Sequence, residues 1–265
     1  MNKLTILYLL SFFLVPLNAQ VADNFSDGNL TDSPTWEGNL DDFTINANGQ
    51  LQLNAATAGV SSISVAATLE AAMEWNFLVQ LNFNPSTSNS TRIYLQADDL
   101  DLLNSSGYFL EIGESGTNDA LQFYRQDNGT KVLLGKASLG AVAMSPTVRI
   151  RVVRMATGAW QIFADYTGGN NLQIDLAVND ARYNQPATYF FGFYCKYTAT
   201  RLTHFLFDDL AVKKLIPDTT PPSLVAIDII SADNLTLVFD EPIVENTAII
   251  SDNFFIDKAL SLIHI

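Results

Sequence analysis

Two carboxylates three residues apart, Glu111 and Glu114 in Tyr108-Phe-Leu-Glu-Ile-Gly-Glu114, are the nearest thing in this chain to an acid–base pair. Glycoside hydrolysis uses such a pair, held about 5–5.5 Å apart where configuration is retained. Side chains alternate along a strand, so residues three apart project to opposite faces. The spacing predicts an exposed strand end and assigns no catalytic residue. A second group suits recognition. Sugar binding combines flat aromatic rings for stacking with amides and charged groups that hydrogen-bond hydroxyls, usually on a concave sheet or in rim loops. Arg92, Tyr94, Gln96, Gln122, Tyr124 and Arg151 have those chemistries at the outward positions of alternating segments. They are the candidate ligand contacts; the alternative is ordinary solvation of strand surfaces.

Few other groups are reactive. Cys195 is the single cysteine and alternates with Phe191, Phe193 and Tyr197, which predicts a buried, inert thiol and leaves no partner for an internal disulfide. His204 and His264 are far apart, so no zinc site is expected. With 14 Lys and Arg against 28 Asp and Glu, the formal net charge is −14. Such a surface repels phosphate and anionic lipid, which argues against nucleic acid as a partner. It favours divalent cations, or simply solubility in a saline exterior.

Strands must hold these groups. From Gln20 to Ile216 short alternating runs are separated by Gly, Asn, Asp, Ser and Pro, and helical periods are missing. That is the pattern of an antiparallel all-β sandwich or jelly roll. Strands are predicted at 51–54, 75–84, 92–97, 108–112, 121–126, 148–154, 159–166, 189–197 and 205–212. Trp75, Phe77, Val79, Leu81 and Phe83 share one face of their run, against Asn76, Gln80, Asn82 and Asn84. Ile93, Leu95 and Ala97 stand likewise against Arg92, Tyr94 and Gln96, and Val148, Ile150 and Val152 against Arg149 and Arg151. These patterns predict two antiparallel sheets facing each other across an apolar core. Asp127-Asn-Gly-Thr130 tolerates positive φ and predicts a hairpin joining 121–126 to 131–134.

The ends add context. Residues 1–19 have the basic start, short apolar run and small residue of a secretory signal, so mature protein begins at Gln20. A membrane anchor needs about 20 apolar residues, and this run is broken by Ser11, Pro16 and Asn18. No other segment is apolar enough to insert into a bilayer. Pro217, Pro221 and Pro222 predict an extended linker over 217–223. The 43 residues from Ser223 to Ile265 are too few for a second sandwich of about 100 residues, so 224–265 reads as truncated.

Several patches resemble one family of concanavalin A-like (laminin G/glucanase-type) jelly-roll domains, found in secreted proteins of gliding, polymer-degrading bacteria. They are Asp23-Asn-Phe-Ser-Asp-Gly28, Pro34-Thr-Trp-Glu-Gly38, Gly49-Gln-Leu-Gln-Leu53, Asn84-Pro-Ser-Thr-Ser-Asn89, Phe191-Gly-Phe-Tyr-Cys-Lys-Tyr-Thr198 and Phe207-Asp-Asp-Leu210. The resemblance covers nearly all of 20–216 and implies the sandwich, export and the surface of a Gram-negative bacterium. It fixes architecture better than activity, because this sandwich hosts lectins, glycan hydrolases and spacers alike. Laminarinase-type relatives carry Glu-x-Asp-x-Glu or Glu-x-Asp-x-x-Glu on one strand, which is absent here. Similar jelly rolls place a structural Ca2+ where the N-terminal loop meets the final strand, and the matching positions are Asp23, Gly28 and Asp208. Asp208 alternates with Leu210 and Val212, which predicts the inner sheet edge, where an ion would relieve an unpaired carboxylate. The alternative is a solvated Asp-Asp turn.

Beyond the linker, Pro221-Pro222 and Phe239-Asp-Glu-Pro242 resemble the opening of bacterial Ig-like domains, from which Lys258 to Ile265 departs. Asp218-Thr-Thr220 also resembles a bacterial O-glycosylation motif. The expected protein is thus all-β: a two-sheet antiparallel jelly-roll sandwich plus the first strands of an incomplete Ig-like β-sandwich. Its expected role is that of a monomeric, non-catalytic extracellular module binding a polysaccharide or cell-surface glycan, or serving adhesion. An inert structural spacer, or the non-catalytic N-terminal part of a larger secreted hydrolase, are the alternatives.

Overall fold

Alternation of apolar and polar residues is realised as a computed structural model that describes residues 19–216, 222–231 and 234–240. The expected signal segment up to Asn18, most of the proline linker, Asp218-Thr-Thr220 and Lys258 to Ile265 lie outside the described residues. The chain divides into two units, Met1–Ile216 and Pro217–Ile265. In the first, the strands run β1 (Ala19–Asp23), β2 (Glu37–Gly38), β3 (Phe43–Ile45), β4 (Leu51–Leu53), β5 (Gly59–Leu69) and β6 (Met73–Leu81). Next come β7 (Ser90–Ala97), β8 (Gly107–Ile112), β9 (Gln122–Asp127), β10 (Thr130–Lys136) and β11 (Thr147–Arg154). The last are β12 (Ala159–Asp165), β13 (Gln173–Asn179), β14 (Ala187–Tyr197) and β15 (Phe205–Lys214). Apart from one 3-10 turn, Leu40–Asp42, no helix occurs among the described residues.

Two antiparallel sheets result. One has the order β13-β12-β11-β6-β15-β4-β3, with β1 also on β15, and the other β10-β9-β8-β7-β14-β5-β2. Their inner faces meet in one core that includes Trp75, Phe77 and Val79 from β6, Ile93 and Leu95 from β7, and Phe191 and Phe193 from β14. Contacts between the sheets are aromatic: Phe193 stacks on Phe207 with centroids 4.1 Å apart, and Phe77 meets Phe191 at 5.9 Å. Each such ring, wholly withdrawn from water, contributes about 1.5–3 kcal/mol. Cys195 belongs to this core, and burial pushes its thiol well above the ordinary range. The 127–130 turn has Asn128 at φ +46° and Gly129 at φ +80°, the left-handed pair that a two-residue hairpin demands.

Arg154, at the end of β11, is fully buried against the stacked rings of Trp75 and Trp160, each ring centroid 5.5 Å from its Cζ. Instead of a carboxylate it meets the Ala71 and Glu70 carbonyls, the Gln96 Oε1 and the Tyr183 carbonyl, so it bonds the two sheets together.

Two bulges shift the expected alternation. In β7 the register against both neighbours slips around Leu95: Tyr94 pairs with Phe109, but Gln96 pairs with Tyr108. Leu95 and Gln96 therefore both face inward and Ala97 joins Tyr94 on the outside, as a bulge requires. In β15 the slip lies between Asp208 and Ala211, with Asp209 at φ +51°. Asp208 thus pairs with outward Leu78, correcting its expected place at the inner edge.

Within the second unit, β16 (Leu224–Ser231) and β17 (Asn234–Phe239) form an antiparallel hairpin. The rest of the expected Ig-like motif, beyond Asp240, lies outside the described residues.

Candidate functional site

The outer face of the seven-stranded sheet carries two adjoining cross-strand rows. One sets Tyr194 beside Arg92, Arg92 beside Glu111 and Glu111 beside Gln122. The next sets Gly192 beside Tyr94, Tyr94 beside Phe109 and Phe109 beside Tyr124. Most of the aromatic row is roofed. Leu102, from the segment between β7 and β8, packs on Tyr94, Phe109 and Tyr194. It fits because Gly192 has no side chain: a Cβ there would lie 2.8 Å from the Leu102 Cδ1. Gln126 ties the roof down, its Nε2 donating to the Leu102 and Ser105 carbonyls at 2.8 Å each.

The polar row forms the floor of a groove of about 350 Å³, with Arg92 half-buried and Glu111, Gln122 and Tyr194 largely buried, walled by Thr87, Ser90, Gly113, Ser115 and Lys196. Gly113, at φ +117°, lets the end of β8 cross Ser90, whose Cβ would be 2.6 Å from a Cβ placed on the glycine. The same turn corrects the expected placing of the two glutamates. β8 ends at Ile112, Gly113 redirects the chain, and Glu114 lines the same groove as Glu111.

Ion pairs order the groove. Arg92 Nε donates to Glu111 Oε1 at 2.9 Å and Nη1 to the Tyr94 hydroxyl at 3.2 Å, with the guanidinium over the Phe109 and Tyr194 rings. Lys131 donates to the other Glu111 oxygen and sits 4.6 Å from the Tyr124 ring centroid. Glu114 accepts from Lys136 and from the Ala120 N–H, and its own N–H donates to buried Asp119. Each glutamate is thus held by cations, which suits positioning and charge balance rather than proton transfer.

Of the six expected contacts, the structure brings four to this face: Arg92, Tyr94, Gln122 and Tyr124. Arg92, Gln122 and Tyr124 line the groove, and the Tyr124 hydroxyl donates to Gln122 Oε1 at 2.7 Å. Tyr94 faces the right way but is 1% exposed beneath the roof. Gln96 points into the core, where it donates to the Tyr183 carbonyl at 2.7 Å, because the bulge inverts its side. Arg151 belongs to the other sheet, over Phe163 and paired with Glu74 at 2.8 Å, so it faces away from the groove. Lys131, Lys196 and Tyr194 were missed. Their signal was the strand register: Lys131 lies opposite Gln126 across the hairpin, and Tyr194 opposite Arg92.

Of the residues proposed for Ca2+, Asp23 pairs across the sheet with Leu210, close to Asp208, and lines one surface pocket with Asn24, Asp27 and Asp209. Asp23 Oδ1 accepts from the Phe25 N–H at 2.7 Å and Oδ2 from Trp36 Nε1 at 2.8 Å, so protein donors occupy both oxygens. Burial raises the Asp23 pKa despite these bonds. Asp208 Oδ1 accepts from the Asp209 N–H, and Gly28 serves a turn at φ +76°. Among the described residues no cluster of three or more metal-ligating side chains occurs. Asp23 and Asp208 thus each accept hydrogen bonds from the protein, and Gly28 shapes the turn of the loop that follows Asp23.

The chain matches no protein-family model and no curated protein. Solved structures share its architecture. The carbohydrate recognition domain of Emp46p, in a metal-free form, superposes with a TM-score of 0.58 at 11% identity, covering 76% of this chain and 99% of that one. The fold is a lectin-like jelly roll. The Emp47p carbohydrate recognition domain gives 0.55 at 12% identity, covering 74% and 95%. The VIP36 exoplasmic/lumenal domain, in a Ca2+/Man-bound form, gives 0.55 at 10%, covering 86% and 100%. At such identities the likeness establishes the sandwich and nothing finer.

Proposed function

We propose that residues 20–216 form a non-catalytic carbohydrate-binding module that receives a glycan on the outer face of the seven-stranded sheet. The carrying observation is the groove on a lectin-like sandwich whose floor is Arg92–Glu111–Gln122 and which Tyr124, Lys131 and Lys196 also line. Charged and amide groups there meet sugar hydroxyls, while the paired glutamates hold the cations in place. The same reading has the module exported, displayed or released at the surface of a Gram-negative bacterium, and used there for adhesion or polymer capture. Residues 224–265 then belong to an Ig-like stalk.

Affinity electrophoresis of the purified protein through gels containing individual polysaccharides tests the proposal. At least one polymer is expected to retard the wild type, with Glu111→Ala and Tyr124→Ala migrating freely while keeping a wild-type circular dichroism spectrum. Retardation that survives in both variants places binding elsewhere, and no retardation by any polymer leaves the spacer reading.

A further inference from the structure

The distribution of charge in the groove runs against that of the chain. Arg92, Lys131 and Lys196 line it against Glu111 and Glu114, in a protein with 28 acidic residues, 14 basic ones and a net charge of −14. Exposure sharpens the contrast. The Glu111 side chain is 8% exposed, whereas Lys131 is 37% exposed and Lys136, which holds Glu114, 33%. Glu111 lies beneath Lys131, whose ammonium meets solvent, while Glu114, at 20%, is about as exposed as Arg92, at 17%. Lys196 is exposed, donates only to the Thr87 carbonyl at 2.9 Å, and has no ion-pair partner among the described residues. Arg92 uses Nε and Nη1 within the protein, and its Nη2 carries no hydrogen bond from the described residues. Nor is the site a bare stacking platform. Phe109 stacks on Tyr124 at 5.1 Å and 16°, and Tyr194 is 8% exposed.

We propose that the glycan taken by this groove is a uronic-acid polymer, whose carboxylates lie against Arg92 Nη2 and Lys196 while its hydroxyls meet Gln122 and Tyr124. This rests on the groove being a glycan site. A carboxylate oxygen accepts a charge-assisted hydrogen bond from the free Nη2 of Arg92, and a second cation suits a charge repeated along a polymer. The cations survive in an acidic protein because Glu111 balances two of them from below, leaving Lys196 for the ligand. The overall negative charge sets a counter-test, since non-specific attraction of polyanions by this chain is excluded.

Affinity electrophoresis and calorimetry with polygalacturonate, alginate, carboxyl-reduced polygalacturonate, a sulfated galactan and a neutral β-glucan separate the outcomes. The uronate polymers are expected to bind, and carboxyl reduction to abolish binding. Lys196→Gln, at an exposed position that leaves the fold intact, is expected to weaken binding by roughly fivefold. Raising salt from about 50 to 500 mM is expected to weaken it further, as screening requires. Equal binding of the reduced and native polymers, or preference for the neutral glucan, overturns the uronate assignment and leaves the glycan site standing. Preference for the sulfated galactan overturns it in favour of sulfate. Binding of none overturns both.

Discussion

Arg92 and Glu111 stand directly opposite one another on β7 and β8, and the Arg92 Nε donates to Glu111 Oε1 at 2.9 Å. The pair is shielded, with the side chains 17% and 8% exposed, and Lys131 shares the carboxylate. Removing the anion strands two cations in a half-buried row. Glu111→Ala is therefore expected to cost about 2–4 kcal/mol of stability, somewhat below the ~3–5 kcal/mol for removing one partner of a fully buried pair, because Lys131 reaches solvent. Urea denaturation measures this; a change under about 0.5 kcal/mol, the surface-substitution range, would show that the row is not coupled.

Arg154 makes a second prediction. Burial pulls its pKa down to about 10, so it remains charged at neutral pH while wholly enclosed. It joins β11 to Gln96 of the opposite sheet and to the carbonyls of Glu70, Ala71 and Tyr183. Arg154→Met removes the donors and leaves buried acceptors unpaired, with an expected loss of about 3–5 kcal/mol. An Arg154→Met protein with a wild-type denaturation midpoint would contradict the clamp.

Acid sensitivity can be traced to Asp180. Burial alone raises its pKa, but bonds from the Tyr108 hydroxyl at 2.6 Å, the Arg182 N–H and Arg125 outweigh it, and the net shift is below the ordinary 3.8. A carboxylate depressed in the fold contributes stability above its unfolded pKa and loses it as pH falls through the folded one. Asp180→Asn is thus expected to be less stable than wild type at pH 7, by about 1–3 kcal/mol. The gap should close as pH falls below 3.8. A gap that is constant with pH would assign the effect to packing.

At the N-terminal loop, Asp23 is bonded to the Trp36 indole and the Phe25 N–H. Asp23→Ala leaves the indole N–H and the Phe25 N–H unsatisfied, at an expected cost of about 1–3 kcal/mol for each. Chelator is expected to leave the wild-type melting temperature unchanged. A fall of several degrees with EDTA, restored by Ca2+, would show that an ion contributes to this junction.

Much of the sandwich was legible because Trp75, Phe77, Val79 and Leu81 hold every second position, with Asn76, Gln80 and Asn82 at most of those between, and the inward set of a half-buried strand is plain when the contrast is strong. β5 escaped because Ser61, Ser62, Ser64 and Ala66 blur that contrast, although Ile63, Val65, Ala67 and Leu69 are buried at every second position. Bulges were the other obstacle. Nothing in Tyr94-Leu-Gln96 or Asp208-Asp-Leu210 announces the inserted residue that reverses Gln96 and Asp208, since the slip arises from pairing with neighbours. The groove itself depends on register between strands distant in sequence. Arg92 and Tyr124 could be nominated by type, but Lys131 beside Glu111, and the separation of Arg151 onto the other sheet, follow only from topology.

The most direct measurement is an amide chemical-shift titration of the 15N-labelled protein with a short oligosaccharide of whichever polymer binds. Shifts concentrated on Arg92, Glu111, Gln122, Tyr124, Lys131 and Lys196, with the face of the opposite sheet around Arg151 unmoved, are the predicted result. Shifts gathered on that opposite face or at the loop of Asp23, with the groove silent, would contradict the account.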